Sequence, residues 1–156
     1  MPGSGKTTLA KEIEIQHKAL RLCPDEWISS IIKDKNEKNE LDRLREPVEG
    51  VIWDLAKRLL TLNVDVILEN GFWTREERLN YLQSAKHVDP SVRVTLHYLD
   101  VSIETLWQRI QKRNSELPKD CFHITRKELE QWMSSFTPPN EEELTLYDEY
   151  EIHRVG

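Results

Sequence analysis

The pattern of apolar and polar positions changes period several times along the chain, and each change predicts an element. After a polar, glycine-bearing opening, Leu9, Ala10 and Ile13 share one side of a helix from Lys6 to about Lys18. Ala19-Leu20-Arg21-Leu22-Cys23 is a short strand stopped by Pro24. Asp25 to Lys33 is helical, with Trp27, Ile28, Ile31 and Ile32 on or near one side. Residues 34–45 are polar apart from Leu41 and Leu44 and mix both signs of charge, which predicts a mobile, solvated segment. From Pro47, the residues Val48, Ile52, Leu55, Leu59 and Leu62 recur at helical spacing, and Asn63 stops the helix they predict.

Val64-Asp65-Val66-Ile67-Leu68 is the best strand pattern in the sequence, and it ends in Glu69, Asn70 and Gly71. Thr74 with Glu77 has the spacing of a capping box for a helix to about Lys86. Beyond Pro90 the residues Val92 to Leu99 alternate as a strand. Ser102 caps a helix to Arg113, and a looser stretch follows to His123. Thr125 opens a helix through Leu129, Trp132, Met133 and Phe136, which Pro138-Pro139 ends. The acidic run Glu141-Glu142-Glu143 begins the last connection, and Tyr150 to Val155 forms a final strand. Strands alternating with helices predict an α/β fold with a parallel sheet and helices on both faces.

The opening carries the most specific chemistry. Pro2-Gly3-Ser4-Gly5-Lys6-Thr7-Thr8 is the second half of a P-loop, G-x-x-x-x-G-K-[ST]. In that motif backbone N–H groups cradle phosphates, the lysine neutralises them, and the hydroxyl ligates Mg²⁺. Gly3, Ser4, Gly5, Lys6, Thr7 and Thr8 are therefore expected to bind the nucleotide, with Thr7 on the metal. Counted back from Gly5, the first glycine of the motif falls one place ahead of Met1. We therefore expect a start some way upstream that adds this glycine and the strand leading into the loop.

Other polar residues gather at the carboxyl ends of predicted strands, where open α/β sheets bind ligands. Asp25 fits a base that takes the proton of an acceptor hydroxyl. It fits a helix cap equally well, and position alone leaves both readings open. Glu69 fits a carboxylate holding the water shell of Mg²⁺ or orienting the acceptor, or simply a solvated strand-end residue. Asn70, Phe72 and Trp73 would border an acceptor pocket or plug the edge of the core. Arg109 and Arg113 lie one helical turn apart, suited to neutralise charge on a transferred phosphoryl group or to complement the helix dipole. Arg75 and Arg78 could reach an anionic substrate or solvate the outer face of their helix.

The bulk properties narrow the setting. A length of 156 residues suits one domain spanning 1–156. The net charge of −6 argues against a long nucleic acid as partner, since binding to a phosphate backbone relies on excess Lys and Arg. No apolar run reaches the length of a membrane span, so we expect a cytoplasmic protein without a membrane partner, with a monomer as the default. Cys23 and Cys121 have no metal-ligand spacing and read as reduced thiols. The five histidines are scattered along the chain, with no zinc site evident.

The order Pro2-Gly3-Ser4-Gly5-Lys6-Thr7-Thr8-Leu9-Ala10, Pro24-Asp25-Glu26-Trp27, Ile67-Leu68-Glu69-Asn70-Gly71-Phe72-Trp73, Glu77-Arg78, Tyr98-Leu99-Asp100-Val101 and Arg109-x-x-x-Arg113-Asn114 resembles the AAA-type ATP-binding family of zeta-toxin-like P-loop kinases. Its wider relatives include the phage polynucleotide kinase domain, gluconate kinase and chloramphenicol phosphotransferase. The resemblance implies a P-loop NTPase fold with parallel strand order 2-3-1-4-5, strand 1 being the one missing ahead of Met1. It also implies ATP and Mg²⁺ as cofactors and transfer of the γ-phosphate to a hydroxyl of a small molecule or nucleotide. Under it, Asp25 matches the catalytic base and Arg109 with Arg113 the lid arginines; together with the reading of the residues above, Lys6, Asp25, Arg109 and Arg113 are expected to be catalytic, Thr7 and Glu69 to serve the metal, and Asp25, Asn70, Trp73 and Arg78 to face the substrate. An ATP-binding regulatory module without transferase activity, or a non-functional kinase fragment, are the competing readings.

Overall fold

The computed structural model describes residues 1–32, 38–116 and 123–155. Internal contacts divide the chain into two compact units. One comprises Met1–Gly5, Gly71–Ser115 and the chain from Ile124 onward; the other comprises Lys6–Asn70 and Glu116–His123.

The second unit contains α1 (Lys6–His17), β1 (Leu20–Leu22), α2 (Pro24–Ile31), α3 (Lys38–Thr61) and β2 (Val66–Leu68). β1 and β2 pair in parallel, with Arg21 opposite Ile67 and Leu22 opposite Leu68. A left-handed Lys18 (φ 53°) ends α1 and a left-handed Asn63 (φ 56°) follows α3, a conformation that Asn tolerates at helix ends. The core is built from Leu22, Ile28, Val48, Ile52 and Ala56, with Trp27, Leu44, Leu55 and Leu59 packed against it.

Three expectations are corrected in this unit. The solvated segment of 34–45 is helical from Lys38 onward, and Pro47 lies inside α3 rather than at its start. Leu44 extends the apolar stripe by one turn onto the core. Arg43 bonds Glu40 three residues back, and Arg45 reaches Asp25 and Glu49, so the charged face is paired rather than loose. The loss of one backbone donor at Pro47 is outweighed by this packing. Leu62, expected to end the apolar stripe, lies beyond the helix and is exposed. Residues 34–37 of that segment, and Cys121, lie outside the described residues.

The first unit contains α4 (Arg75–Val88), β3 (Thr95–Val101), α5 (Ile103–Glu116), α6 (Arg126–Ser135), the short α7 (Glu141–Leu144) and β4 (Glu149–Val155). β3 and β4 pair in parallel over their full length, from Thr95 opposite Glu149 to Val101 opposite Val155. Leu106, Ile110, Ile124 and Leu129 bury the inner faces of α5 and α6 with Val101. Thr125 and Glu128 form the reciprocal capping box of α6. At α4, Thr74 accepts from the Glu77 N–H as expected, but the Glu77 carboxylate accepts from Trp73 N–H instead of closing the box on Thr74. The acidic run at Glu141 is a helical turn capped by Asn140, not a bare connection.

The described strands form two separate two-stranded parallel sheets, one in each unit.

Candidate functional site

In the first unit, Met1–Gly5 forms a tight turn. Gly3 (φ 77°) and Gly5 (φ 98°) adopt left-handed backbone that side-chain-bearing residues resist. Ser4 is buried, and both its N–H and its Oγ bond the carbonyl of Met1, at 3.4 and 2.9 Å. The turn rests on α5. A Cβ at Gly3 would stand 3.4 Å from the Leu106 carbonyl and 3.5 Å from Ile110, close to ordinary contact, so it is the positive φ rather than lack of space that calls for glycine here. Arg109, on the same helix, donates from Nη1 to the carbonyls of Gly3 at 3.0 Å and Ser4 at 3.4 Å. This arginine therefore sits on the phosphate-type loop. Arg113 is half-buried one turn on, and its Nε has no hydrogen-bond partner among the described residues.

In the second unit, Lys6 opens α1 half-buried, and Thr7 and Thr8 follow exposed in its first turn. The Thr7 hydroxyl donates to Oε1 of Glu69, a residue buried at 9% exposure just after β2. The Glu69 N–H bonds the Leu22 carbonyl, so the β1–β2 ladder fixes its backbone. Its Oε2 accepts from Arg21 Nη1 at 2.7 Å. Arg21 also donates through Nη2 to both Glu26 oxygens at 2.7 and 2.8 Å and lies 3.7 Å from Glu14. Burial alone would lower the Arg21 pKa, but its hydrogen bonds to Glu26 and Glu69 and their charges outweigh it and raise it. Arg21 is the residue that sequence reasoning passed over; the available signal was a lone cation at the centre of a three-residue apolar strand.

Asp25 is exposed, with its Oδ1 3.1 Å from Arg45 Nη1. The capping alternative for Asp25 is corrected: α2 begins at Pro24, the cap position is Cys23, and Asp25 lies inside the first turn. Glu26 turns to Arg21. Buried Cys23 has its thiol pKa pushed up by desolvation.

Arg78 is corrected on both counts. It neither solvates an outer face nor presents itself to a substrate: it is 4% exposed and forms a two-point ion pair with Glu143, itself 1% exposed. Nε donates to Oε1 at 2.6 Å and Nη2 to Oε2 at 2.8 Å, while Nη1 donates to the carbonyls of Phe72 and Thr137. This clamp holds the segment before α4 to α7. Arg75 pairs with Glu142 at 2.9 Å. Asn70 is buried at the end of the β2 segment. Trp73 lies over Gly71, where a Cβ would come within 2.3 Å of the indole Nε1. Phe72 meets Tyr81 edge to face.

The reading of scattered histidines is also corrected, because His97 on β3 and His153 on β4 meet at 3.2 Å. Among the described residues no helix is long and apolar enough to cross a membrane.

Comparison with known proteins adds two findings. A family model described as an AAA domain matches residues 1–139. A crystal structure of a candidate kinase from Chloroflexus aurantiacus J-10-fl superposes with a TM-score of 0.73 at 18% identity, over 98% of this chain and 83% of that one. At that identity the likeness is one of fold. No curated protein matches the chain.

Proposed function

The chain belongs to the AAA domain family and is a P-loop kinase-like, nucleotide-binding protein; from this we propose that it transfers the γ-phosphate of ATP to a hydroxyl of a small molecule or nucleotide. The observation that carries the reading is the Thr7 hydroxyl on the buried Glu69 carboxylate, which Arg21 holds from its other oxygen. These are hard oxygen donors of the kind that Mg²⁺ takes, and the residues fit that ion. Bound there, Mg²⁺ would offset the charge of the phosphates.

Each residue then has a task. Thr7, through its hydroxyl, and Glu69, through the water shell, would hold the ion. Arg21 keeps Glu69 from swinging away. Lys6, with the amides from Gly3 to Thr8, binds the β- and γ-phosphates at the start of α1, where the helix dipole favours anions. Asp25 accepts the proton of the attacking hydroxyl. Arg109 and Arg113 offset charge on the phosphoryl group in flight. Asn70 and Trp73 border the acceptor. The acidic balance favours a small acceptor over a long nucleic acid, in a cytoplasmic monomer acting as a single domain.

Transfer of labelled γ-phosphate from ATP to pooled hydroxylated metabolites tests this directly. Asp25→Asn should abolish transfer and spare ATP binding, whereas Lys6→Ala should impair both. Undiminished transfer by Asp25→Asn would remove the base assignment.

A further inference from the structure

We propose that His97, Glu151 and His153 form a binding site for a zinc-class divalent ion, separate from the phosphate-side metal. The parallel register sets His97 opposite Glu151, and His153 follows Glu151 by two residues. The period of two along a strand puts all three on one face of the β3–β4 pair. One atom from each residue converges. His97 Nδ1 lies 3.2 Å from His153 Nε2, and Glu151 Oε2 lies 3.6 Å from the first and 3.5 Å from the second. The two rings stack with centroids 5.4 Å apart.

These three distances decide the chemistry. An ion bound tetrahedrally at about 2.0–2.1 Å from nitrogen and oxygen ligands separates those ligands by about 3.3–3.4 Å. The observed triangle is nearly equilateral at that spacing, so it forms one face of a tetrahedron with little rearrangement. A plain imidazole–imidazole hydrogen bond would explain the shortest edge only, not the carboxylate oxygen equidistant from both nitrogens. Two half-buried imidazoles and one exposed carboxylate leave the fourth position on the solvent side. Two nitrogens and one oxygen are a zinc donor set, and imidazole is a poor ligand for Mg²⁺ or Ca²⁺. Neighbouring Glu149 is paired with Arg93, so Glu151 supplies the charge.

The test is a cobalt(II) titration of the tag-free full chain in excess Mg²⁺, followed by competition with zinc. The expected result is one equivalent of cobalt with the intense visible absorption of a tetrahedral site, displaced one for one by zinc. Loss of a partner that merely orients a ligand typically weakens binding about 10–100-fold, so His97→Ala and His153→Ala should each weaken it by more than about a hundredfold. Glu151→Gln should weaken it as well. A six-coordinate spectrum, a sulfur-to-cobalt charge-transfer band, or undiminished zinc binding by the His97→Ala/His153→Ala double variant would overturn the assignment. The spectrum of the unaltered protein decides the matter even if a variant fails to fold.

Discussion

Glu143→Gln isolates the buried clamp that organises the segment beside Trp73. Glu143 accepts two charge-assisted bonds from Arg78, and both side chains are essentially sealed from solvent, at 3% and 1% exposure. Glutamine keeps the shape but removes the charge and turns an N–H group against the guanidinium. Arg78 then keeps the Phe72 and Thr137 carbonyls and at most one neutral bond to the glutamine amide oxygen, with its charge uncompensated. Breaking a buried pair by removing one partner costs about 3–5 kcal/mol, against a total stability of about 5–15 kcal/mol for a typical domain. At the lower figure, and about 2–4 °C per kcal/mol for a chain of this size, the melting midpoint should fall by about 6–12 °C. Thermal unfolding followed by circular dichroism measures the midpoint, and urea titration followed by tryptophan fluorescence measures the free energy. Arg78→Met/Glu143→Leu should recover part of the loss, limited by the two carbonyls that lose their donor. Arg75→Ala, whose partner Glu142 is exposed, should leave the midpoint in place. A Glu143→Gln cost below about 1 kcal/mol, the size of an exposed pair, would refute the reasoning.

Further outcomes follow from other contacts. Gly71→Ala should push the Trp73 indole aside, change its emission and cost about 1–3 kcal/mol by overpacking; an unshifted spectrum would contradict the close approach. Asp148 is held below its ordinary 3.8 by hydrogen bonds from Lys86 and from Val94 N–H. Its folded form therefore binds a proton less readily than its unfolded form, so its stabilisation is present above that pH and is lost as pH falls further. Asp148→Asn should show a shallower fall in stability in acid titration.

Much of the fold was legible because it rests on local signals. The glycine–lysine–threonine spacing placed the loop and the start of α1, and Thr74 and Thr125 marked helix starts through hydrogen bonds made within four residues. The alternation of apolar residues located the strands to within a few positions. What escaped depends on partners distant in sequence. Pro47 reads as a helix start, yet Leu44 and the Arg45 pairs carry the helix through it. Arg78 looks like a surface cation until Glu143, 65 residues on, encloses it. Arg21 looks like an interruption in a strand until β1–β2 pairing brings it to Glu69. His97 and His153 look unrelated until the β3–β4 register sets them on one face, since the pairing of strands is decided by packing rather than by either strand's own sequence.

The central claim is that Thr7 and Glu69 make a metal-assisted phosphate site at the start of α1. Calorimetric titration of ATP into the unaltered protein and Thr7→Val, each with Mg²⁺ and with EDTA, tests it most directly. The account predicts binding by the unaltered protein that weakens sharply in EDTA, and a Thr7→Val variant that binds weakly whether or not Mg²⁺ is present. Equal affinity with and without Mg²⁺ in the unaltered protein, or a Thr7→Val variant that keeps the full response to Mg²⁺, would contradict it.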